Sequence, residues 1–199
     1  MKNLTNIDEA LQRLLEGNRR YSTNRATYLN QTPLRRIEVA KAQHPFATIF
    51  GCVDSRVPPE IIFDHGLGDL LVIRTAGQVA DRAVLGSIQF GVVELGIPLI
   101  MVLGHERCGA VKATIEALEK HAGMPDQIAM LVESIRPAVE KVKGQPGDLL
   151  ENAVRANIEL TISQLKGSPI LAEAIQKGEL KIVGARYDLD TGAVALTVS

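Results

Sequence analysis

The two cysteines of this 199-residue chain, Cys52 and Cys108, each follow a short apolar run and stand among polar residues. Cys52 is followed by Asp54 and Arg56, and Cys108 comes three residues after His105. Thiolates and imidazole suit zinc, and catalytic zinc sites typically have three protein ligands and an open fourth position. The residue types therefore predict a metal site of two sulfurs and one nitrogen with an exchangeable position.

The spacing within each group supports this interpretation. His105 and Cys108 are three residues apart at an expected helix start, which places both on one side of the helix. Asp54 lies two residues beyond Cys52, on the same side of an extended chain, where it could reach the metal or a water on it. Each residue alone has a common structural role, such as a small buried cysteine or an Asp-Arg surface pair. Their joint occurrence favours a functional site.

The elements that must position these residues follow an alternating order of strands and helices. Three short, nearly continuous apolar runs at 46–50, 69–73 and 99–103 are typical of parallel strands that are covered on both faces. Helical patterns occupy 84–95, 110–120 and 124–165, the last with an interruption near 144–147. We expect an α/β fold with a central, mostly parallel sheet flanked by helices. Because ligand sites gather beyond the carboxyl ends of such strands, both polar groups should share one crevice.

The two ends of the chain complete the predicted domain, which spans 1–199. Asn6 and Glu9 fit an N-cap and its capping-box partner for an amphipathic helix, and a polar segment at 21–34 precedes a short helix over 35–43. The sequence shows no apolar surface within this N-terminal stretch on which the helix could pack. Residues 1–45 are therefore predicted to form a helical arm that packs on a partner subunit. Two apolar segments around Asp190-Thr191-Gly192 predict a C-terminal hairpin at the sheet edge.

Composition narrows the class of partner. The net charge is -1 with acids and bases intermixed, which argues against nucleic acid or an anionic membrane as a partner. No secretory apolar stretch is seen near the N-terminus, and the run at 97–103 is far shorter than the roughly 20 residues of a membrane span. We expect a cytoplasmic protein. In an intracellular chain, two distant cysteines more often bind metal or do chemistry than form a disulfide.

The segments Cys52-Val53-Asp54-Ser55-Arg56 and His105 to Gly109 resemble the two signature motifs of β-class carbonic anhydrases. The resemblance extends through 57–60, 72–74 and 86–88 and covers most of the chain. It implies that Cys52, His105 and Cys108 bind one zinc ion per subunit, with Asp54 as an alternative fourth ligand. The implied reaction is the reversible hydration of carbon dioxide to bicarbonate and a proton by metal-bound hydroxide, oriented by an Asp54-Arg56 catalytic dyad.

The resemblance also implies a substrate pocket and an assembly. The pocket positions are Gln43, Leu71, Ala76, Phe90 and Gly109. Leu71, Ala76 and Phe90 would come across a dimer interface, in a homodimer or homotetramer. The family commonly has Asn where Thr75 stands and Tyr where Phe90 stands, so the fine detail of the pocket is expected to differ.

Two alternatives remain at the sequence level. A relative on the same scaffold could hydrolyse carbon disulfide or carbonyl sulfide, because pocket shape and not the zinc ligands would separate those substrates. A structural or regulatory zinc protein would have Asp54 permanently on the metal, but such a site has no need of Arg56. Of the neighbouring polar residues, Arg74 is predicted to form a structural ion pair, and Glu106 and Arg107 to pair across an interface or to face solvent.

Overall fold

The computed structural model describes residues 6–120 and 123–198, and the fold is built on one five-stranded sheet. Its strands have the spatial order β2-β1-β3-β4-β5. They are β1 Ala47–Cys52, β2 Leu70–Thr75, β3 Leu99–His105, β4 Lys181–Tyr187 and β5 Val194–Val198. The first four run parallel, and β5 pairs antiparallel with β4 at one edge. The predicted fold class, a mostly parallel sheet flanked by helices with a C-terminal hairpin at its edge, is confirmed.

Helices cover both faces of this sheet. They are α1 Ile7–Ser22, α2 Pro33–Val39, α3 Pro59–Ile62, α4 Arg82–Val93, α5 Gly109–Lys120, α6 Asp126–Val142, α7 Leu149–Lys166 and α8 Pro169–Gln176. One face packs against α4 to α8, and the other packs against α1 and α3. All residues of β1 and β3 are buried, as their unbroken apolar runs predict, whereas all six residues of the edge strand β2 are half-buried.

Helix α1 corrects one sequence-based expectation. The Asn6 side chain caps the helix by accepting a hydrogen bond from the Asp8 amide. Ala10 and Leu14 are fully buried in the apolar cluster of this chain's own sheet, and a Cβ at Gly17 would lie 1.9 Å from the Phe63 carbonyl oxygen. The premise that this helix has nothing of its own to pack on is therefore wrong. Its apolar stripe covers the sheet face that the later helices leave open.

The polar segment after α1 is also attached to the body of the chain. The Asp64 carboxylate accepts hydrogen bonds from the Arg20 side chain, from the amide and hydroxyl of Thr27, and from the Tyr28 amide. The predicted short helix is present as α2, although it begins and ends earlier than the sequence suggests. Tyr28 and Leu34 stay exposed, so packing on a partner subunit remains a prediction for this outer surface alone. Residues 1–5 of the predicted arm lie outside the described residues.

Two short helices, α3 and α8, were not anticipated because each begins at a proline and reads as a turn. Proline at the first helical position is pre-organised for a helix, since its missing N–H would have no partner there. None of the helices in the described ranges is both long and apolar enough to cross a membrane.

Candidate metal centre

The carboxyl ends of β1 and β3 bring the predicted ligands together. Cys52 is the last residue of β1, His105 is the last residue of β3, and Cys108 immediately precedes α5. One ligand atom from each of the three lies within 4.8 Å of the others, and all three residues are buried. The two sulfurs are 4.0 Å apart. The predicted set of two thiols and one imidazole is thus assembled by the fold itself.

The His105 ring is oriented to offer one nitrogen to this group. Its Nδ1 lies 2.8 Å from the Glu106 carbonyl oxygen, which can only accept, so Nδ1 carries the proton. Nε2 is then left with a lone pair. It is buried without a hydrogen-bond partner, and its nearest charged oxygen, Asp54 Oδ2, is 3.9 Å away. A buried acceptor without a donor is costly, so the orphaned Nε2 fits a bound cation between it and the two sulfurs.

The two thiols point to the same conclusion through their protons. The hydrogen bond with Cys108 lowers the pKa of Cys52 to about 4 against the opposing effect of burial, helped by the Gly77 amide 3.3 Å from the Cys52 sulfur. The same pairing, together with burial, raises the pKa of Cys108 far above its ordinary value. One sulfur therefore ionises readily while its neighbour keeps a proton. A cation would remove this conflict, because its charge stabilises two adjacent thiolates.

Asp54 and Arg56 stand at the outer rim of the cluster. The Asp54 carboxylate accepts from Arg56 Nε at 2.9 Å, from Nη2 at 2.8 Å and from the Arg56 amide at 3.0 Å. This hydrogen bonding lowers the pKa of Asp54 to about 2, so the carboxylate is ionised at neutral pH. The Arg56 side chain is 52% exposed, which puts the pair at the solvent side of the three buried ligands.

Supporting residues that the sequence did not reveal hold the loop after β1. Arg74 donates through Nε to the Cys52 carbonyl at 2.8 Å and through Nη2 to the Asp54 carbonyl at 2.7 Å. The predicted ion pair at Arg74 is therefore replaced by hydrogen bonds to the main chain. Asn157 of α7 donates to the Gly77 carbonyl at 2.8 Å and so steadies the residue whose amide contacts Cys52. The sequence offers one sign of this role, since Asn157 is a polar residue between the apolar residues Ala156 and Ile158 of α7.

The residues between the ligands on the second loop also differ in part from their prediction. Glu106 pairs with Arg186 of β4, and Arg107 pairs with Asp190 at 2.7 Å, so both partners come from the same chain. The expectation that Glu106 simply faces solvent is wrong, because its side chain is 19% exposed and paired within the chain. The Arg107 side chain is 52% exposed and does face solvent, as one of its two predicted alternatives has it. Pairing across an interface stays a prediction. Asp188 and Asp190 approach Glu106 within 4.8 Å, but the two arginines neutralise this acidic group, which we do not interpret as a metal site.

The predicted pocket positions are spread over the surface around this edge of the sheet. Gln43 is exposed just before β1, Ala76 follows β2, and Phe90 on α4 is 52% exposed. Leu71 pairs with Thr48, four residues below the level of Cys52, which is about 13 Å down the strand. A single chain therefore does not bring Leu71 to its own cluster. Apart from its chain neighbours and the backbone of its own helix, no atom of the described residues lies within 4 Å of a Cβ built on Gly109, so the start of α5 is open.

The fold and the cluster together define a class, that of α/β proteins with a candidate soft-donor metal site at the carboxyl edge of a parallel sheet. The family model described as carbonic anhydrase matches residues 47–194 of this chain. The chain is 41% identical to carbonic anhydrase 2 of Mycobacterium tuberculosis over 96% of this chain and 93% of that protein. It is 40% identical to a carbonic anhydrase of Mycolicibacterium smegmatis, with 94% and 91% covered.

The solved structures agree. A Coccomyxa β-carbonic anhydrase in complex with acetazolamide superposes with a TM-score of 0.73 at 29% identity, covering 94% of this chain and 85% of that one. The chain belongs to the carbonic anhydrase family, in its β class, and the predicted family and enzyme class are confirmed.

Proposed function

We propose that this carbonic anhydrase is a zinc enzyme whose Cys52, His105 and Cys108 hold one zinc ion in each subunit. The observation that carries the proposal is the buried, unpartnered Nε2 of His105 beside two buried sulfurs. Thiolate and imidazole select zinc over hard cations such as Mg²⁺ or Ca²⁺, which prefer oxygen. Three protein ligands also match a catalytic site and not a closed structural one.

When bound, zinc supplies a Lewis acid that lowers the pKa of water, less strongly beside two thiolates than beside three neutral imidazoles. The chain's own residues then direct the reaction of carbon dioxide to bicarbonate and a proton. The ionised Asp54 carboxylate only accepts hydrogen bonds, so it would accept the O–H of the attacking oxygen, which keeps its proton, and would turn a lone pair of that oxygen toward the substrate. Asp54 and Arg56 thus form the proposed dyad.

Arg56 sets the position of Asp54 in this scheme. Its planar guanidinium binds both carboxylate oxygens, a geometry that a lysine cannot reproduce. With these oxygens and the Arg56 amide engaged, Asp54 is held beside the three ligands and not among them. We propose this arrangement as the reactive form. Release of Asp54 from Arg56 would free the carboxylate to compete for the fourth position.

The substrate pocket is proposed to be completed by a second copy of the chain, in a homodimer or homotetramer. Among the described residues, the edge strand β2 has a neighbouring strand on one side only. Helix α4 lies beside it and exposes the side chains of Phe90 and Val93. An unpaired strand next to exposed apolar side chains is a typical site of association. A neighbouring β2 and α4 would supply Leu71, Ala76 and Phe90, and of these Leu71 is the residue that a single chain does not bring to its own cluster.

Sedimentation analysis tests this assembly. Phe90→Glu is expected to shift the protein to a smaller species and to lower its hydration activity, because the neighbour's pocket residues are lost. Ile170→Glu on α8, where the side chain is similarly exposed at 44%, serves as the matched control and should keep the wild-type mass. A fully active wild-type monomer would contradict the shared pocket.

Zinc quantification together with stopped-flow hydration tests the metal proposal. We expect one zinc ion per chain, and activity that rises from about pH 6.5 to about pH 9. A strong chelator should remove metal and activity together, and added zinc should restore both. A folded, metal-free protein with full activity would overturn the proposal, and a flat pH profile would contradict the assigned reaction.

A further inference from the structure

Glu106 stands between two proposed metal ligands, and its main chain contacts one of them. Its carbonyl oxygen accepts the Nδ1 proton of His105 at 2.8 Å. Its amide donates to the Tyr187 carbonyl at 3.1 Å, just past the point where His105 and Tyr187 pair in the β3–β4 ladder. The main chain of Glu106, held through its amide on one side and bonded to His105 through its carbonyl on the other, therefore sets the direction of the His105 ring.

The Glu106 carboxylate is anchored as well. One oxygen accepts from Arg186 Nη2, and the other accepts from the Leu189 amide at 3.0 Å. Only 19% of the Glu106 side chain and 13% of the Arg186 side chain are exposed. A carboxylate that is so far removed from water and engaged at both oxygens has little freedom, since breaking either contact leaves a buried polar group unpaired.

Arg186 does not depend on Glu106 alone for charge compensation. Its Nε lies 2.7 Å from a Glu151 carboxylate oxygen in α7, as an ion pair that is not aligned as a hydrogen bond. Asp188 adds a third carboxylate at 3.7 Å. The need to neutralise Arg186 therefore does not by itself explain why a glutamate occupies position 106. The need to hold the main chain of Glu106 in place does explain it.

We infer that Glu106 is a positioning residue for metal binding, because its anchored side chain fixes the carbonyl that sets the ring orientation and tautomer of His105. This inference rests on the proposed metal site. Groups that hold the second nitrogen of a ligating histidine commonly influence metal affinity. Here that group is the Glu106 carbonyl. The Glu106 side chain acts on the metal site indirectly, by holding this carbonyl in place.

Metal affinity provides the test. For Glu106→Ala, the dissociation constant for zinc, measured by competition with a chromogenic chelator, is expected to rise roughly 10- to 100-fold. The visible spectrum of the cobalt-loaded protein should change too, because it reports the ligand geometry. Glu106→Gln keeps an acceptor for Arg186 or for the Leu189 amide, and it is expected to recover most of the affinity.

Glu151→Gln is the matched control. It removes another carboxylate that pairs with Arg186 but leaves every contact of Glu106 in place. It should lower thermal stability but leave zinc affinity and the cobalt spectrum at wild-type values. Wild-type affinity in Glu106→Ala, or an equal loss in Glu151→Gln, would overturn the inference. Should the alanine variant not fold, Glu106→Asp, which keeps the charge but shortens the reach, replaces it with the same expectations. Failure of the wild-type protein to bind zinc would instead overturn the proposed function.

Discussion

The loops that follow β1 and β3 build the same site but differ in exposure. Residues 105–108 contribute His105 and Cys108, both buried, and their supports are buried or nearly so. Residues 52–56 contribute one buried ligand, Cys52, and then turn outward to the half-exposed Arg56. Under the proposed function this difference divides the tasks: the loop after β3 would hold the metal, and the loop after β1 would also present the reacting pair to solvent.

Cys108→Ser is expected to have the largest effect, because it removes a ligand from the buried loop. Zinc content should fall close to zero after dialysis, and hydration activity should drop at least about 100-fold, since the Lewis acid is lost. Metal analysis and stopped-flow assays measure the two quantities. Arg107→Asn, at an exposed neighbour whose left-handed backbone asparagine tolerates, is the control and should retain both. Retained zinc in Cys108→Ser would break the division of tasks.

Arg56→Ala tests the outward loop and should separate activity from metal binding. Without its guanidinium the pKa of Asp54 returns toward the ordinary value of about 3.9, so the carboxylate is still ionised at pH 7. Any loss near neutral pH then reflects position and not charge. We expect roughly a 100-fold lower turnover with unchanged zinc content, and a partial recovery in Arg56→Lys. A parallel fall in zinc would show that Arg56 is needed for metal binding and not only for the reaction.

Arg74→Met tests the main-chain support of the outward loop with a smaller expected effect. The carbonyls of Cys52 and Asp54 lose their charged donor, which should lower the free energy of unfolding by about 2 kcal/mol. Activity should fall more than zinc content does. Urea denaturation measures the first quantity, and Arg82→Met at an exposed position of α4 is the control. Equal stability of the two variants would remove Arg74 from the supports.

Asp64→Asn lies outside both loops and should have the smallest effect on the site. Burial by itself would raise the pKa of Asp64, but hydrogen bonds from Thr27, Arg20 and Tyr28 together lower it to about 2. The ionised carboxylate therefore stabilises the fold above its unfolded pKa of about 3.9, and this contribution is lost as the pH falls toward 2.

In the Asp64→Asn variant, the free energy of unfolding at pH 7 should drop by about 1 kcal/mol. Its further decline between about pH 4 and pH 2 should be shallower than in the wild type. Denaturant titrations at several pH values measure this slope. Zinc content and activity should stay unchanged, and an effect on either would connect the N-terminal arm to the metal loops.

The sequence predicted the parallel strands, the helices that follow them and the five central site residues. Continuous apolar runs identify buried strands directly, and cysteine and histidine at strand ends have few other roles in combination. The packing of α1 was not predictable in the same way, because helical periodicity reveals an apolar face but not what covers it. Arg74 and Glu106 were misread for a related reason: their partners are remote in sequence, and both Arg74 partners are main-chain carbonyls with no residue signature.

Two glycines beneath α7 give that helix an influence on both loops. A Cβ at Gly104 would come within 2.6 Å of the Ile158 side chain, and one at Gly184 within 2.8 Å, so α7 rests directly on β3 and β4. The same helix carries Asn157, which donates to the Gly77 carbonyl beside the loop after β1. A methyl group added at Gly104 or Gly184 would push α7 away from the sheet. It would thereby disturb both loops of the proposed metal centre, although neither glycine is one of the proposed ligands.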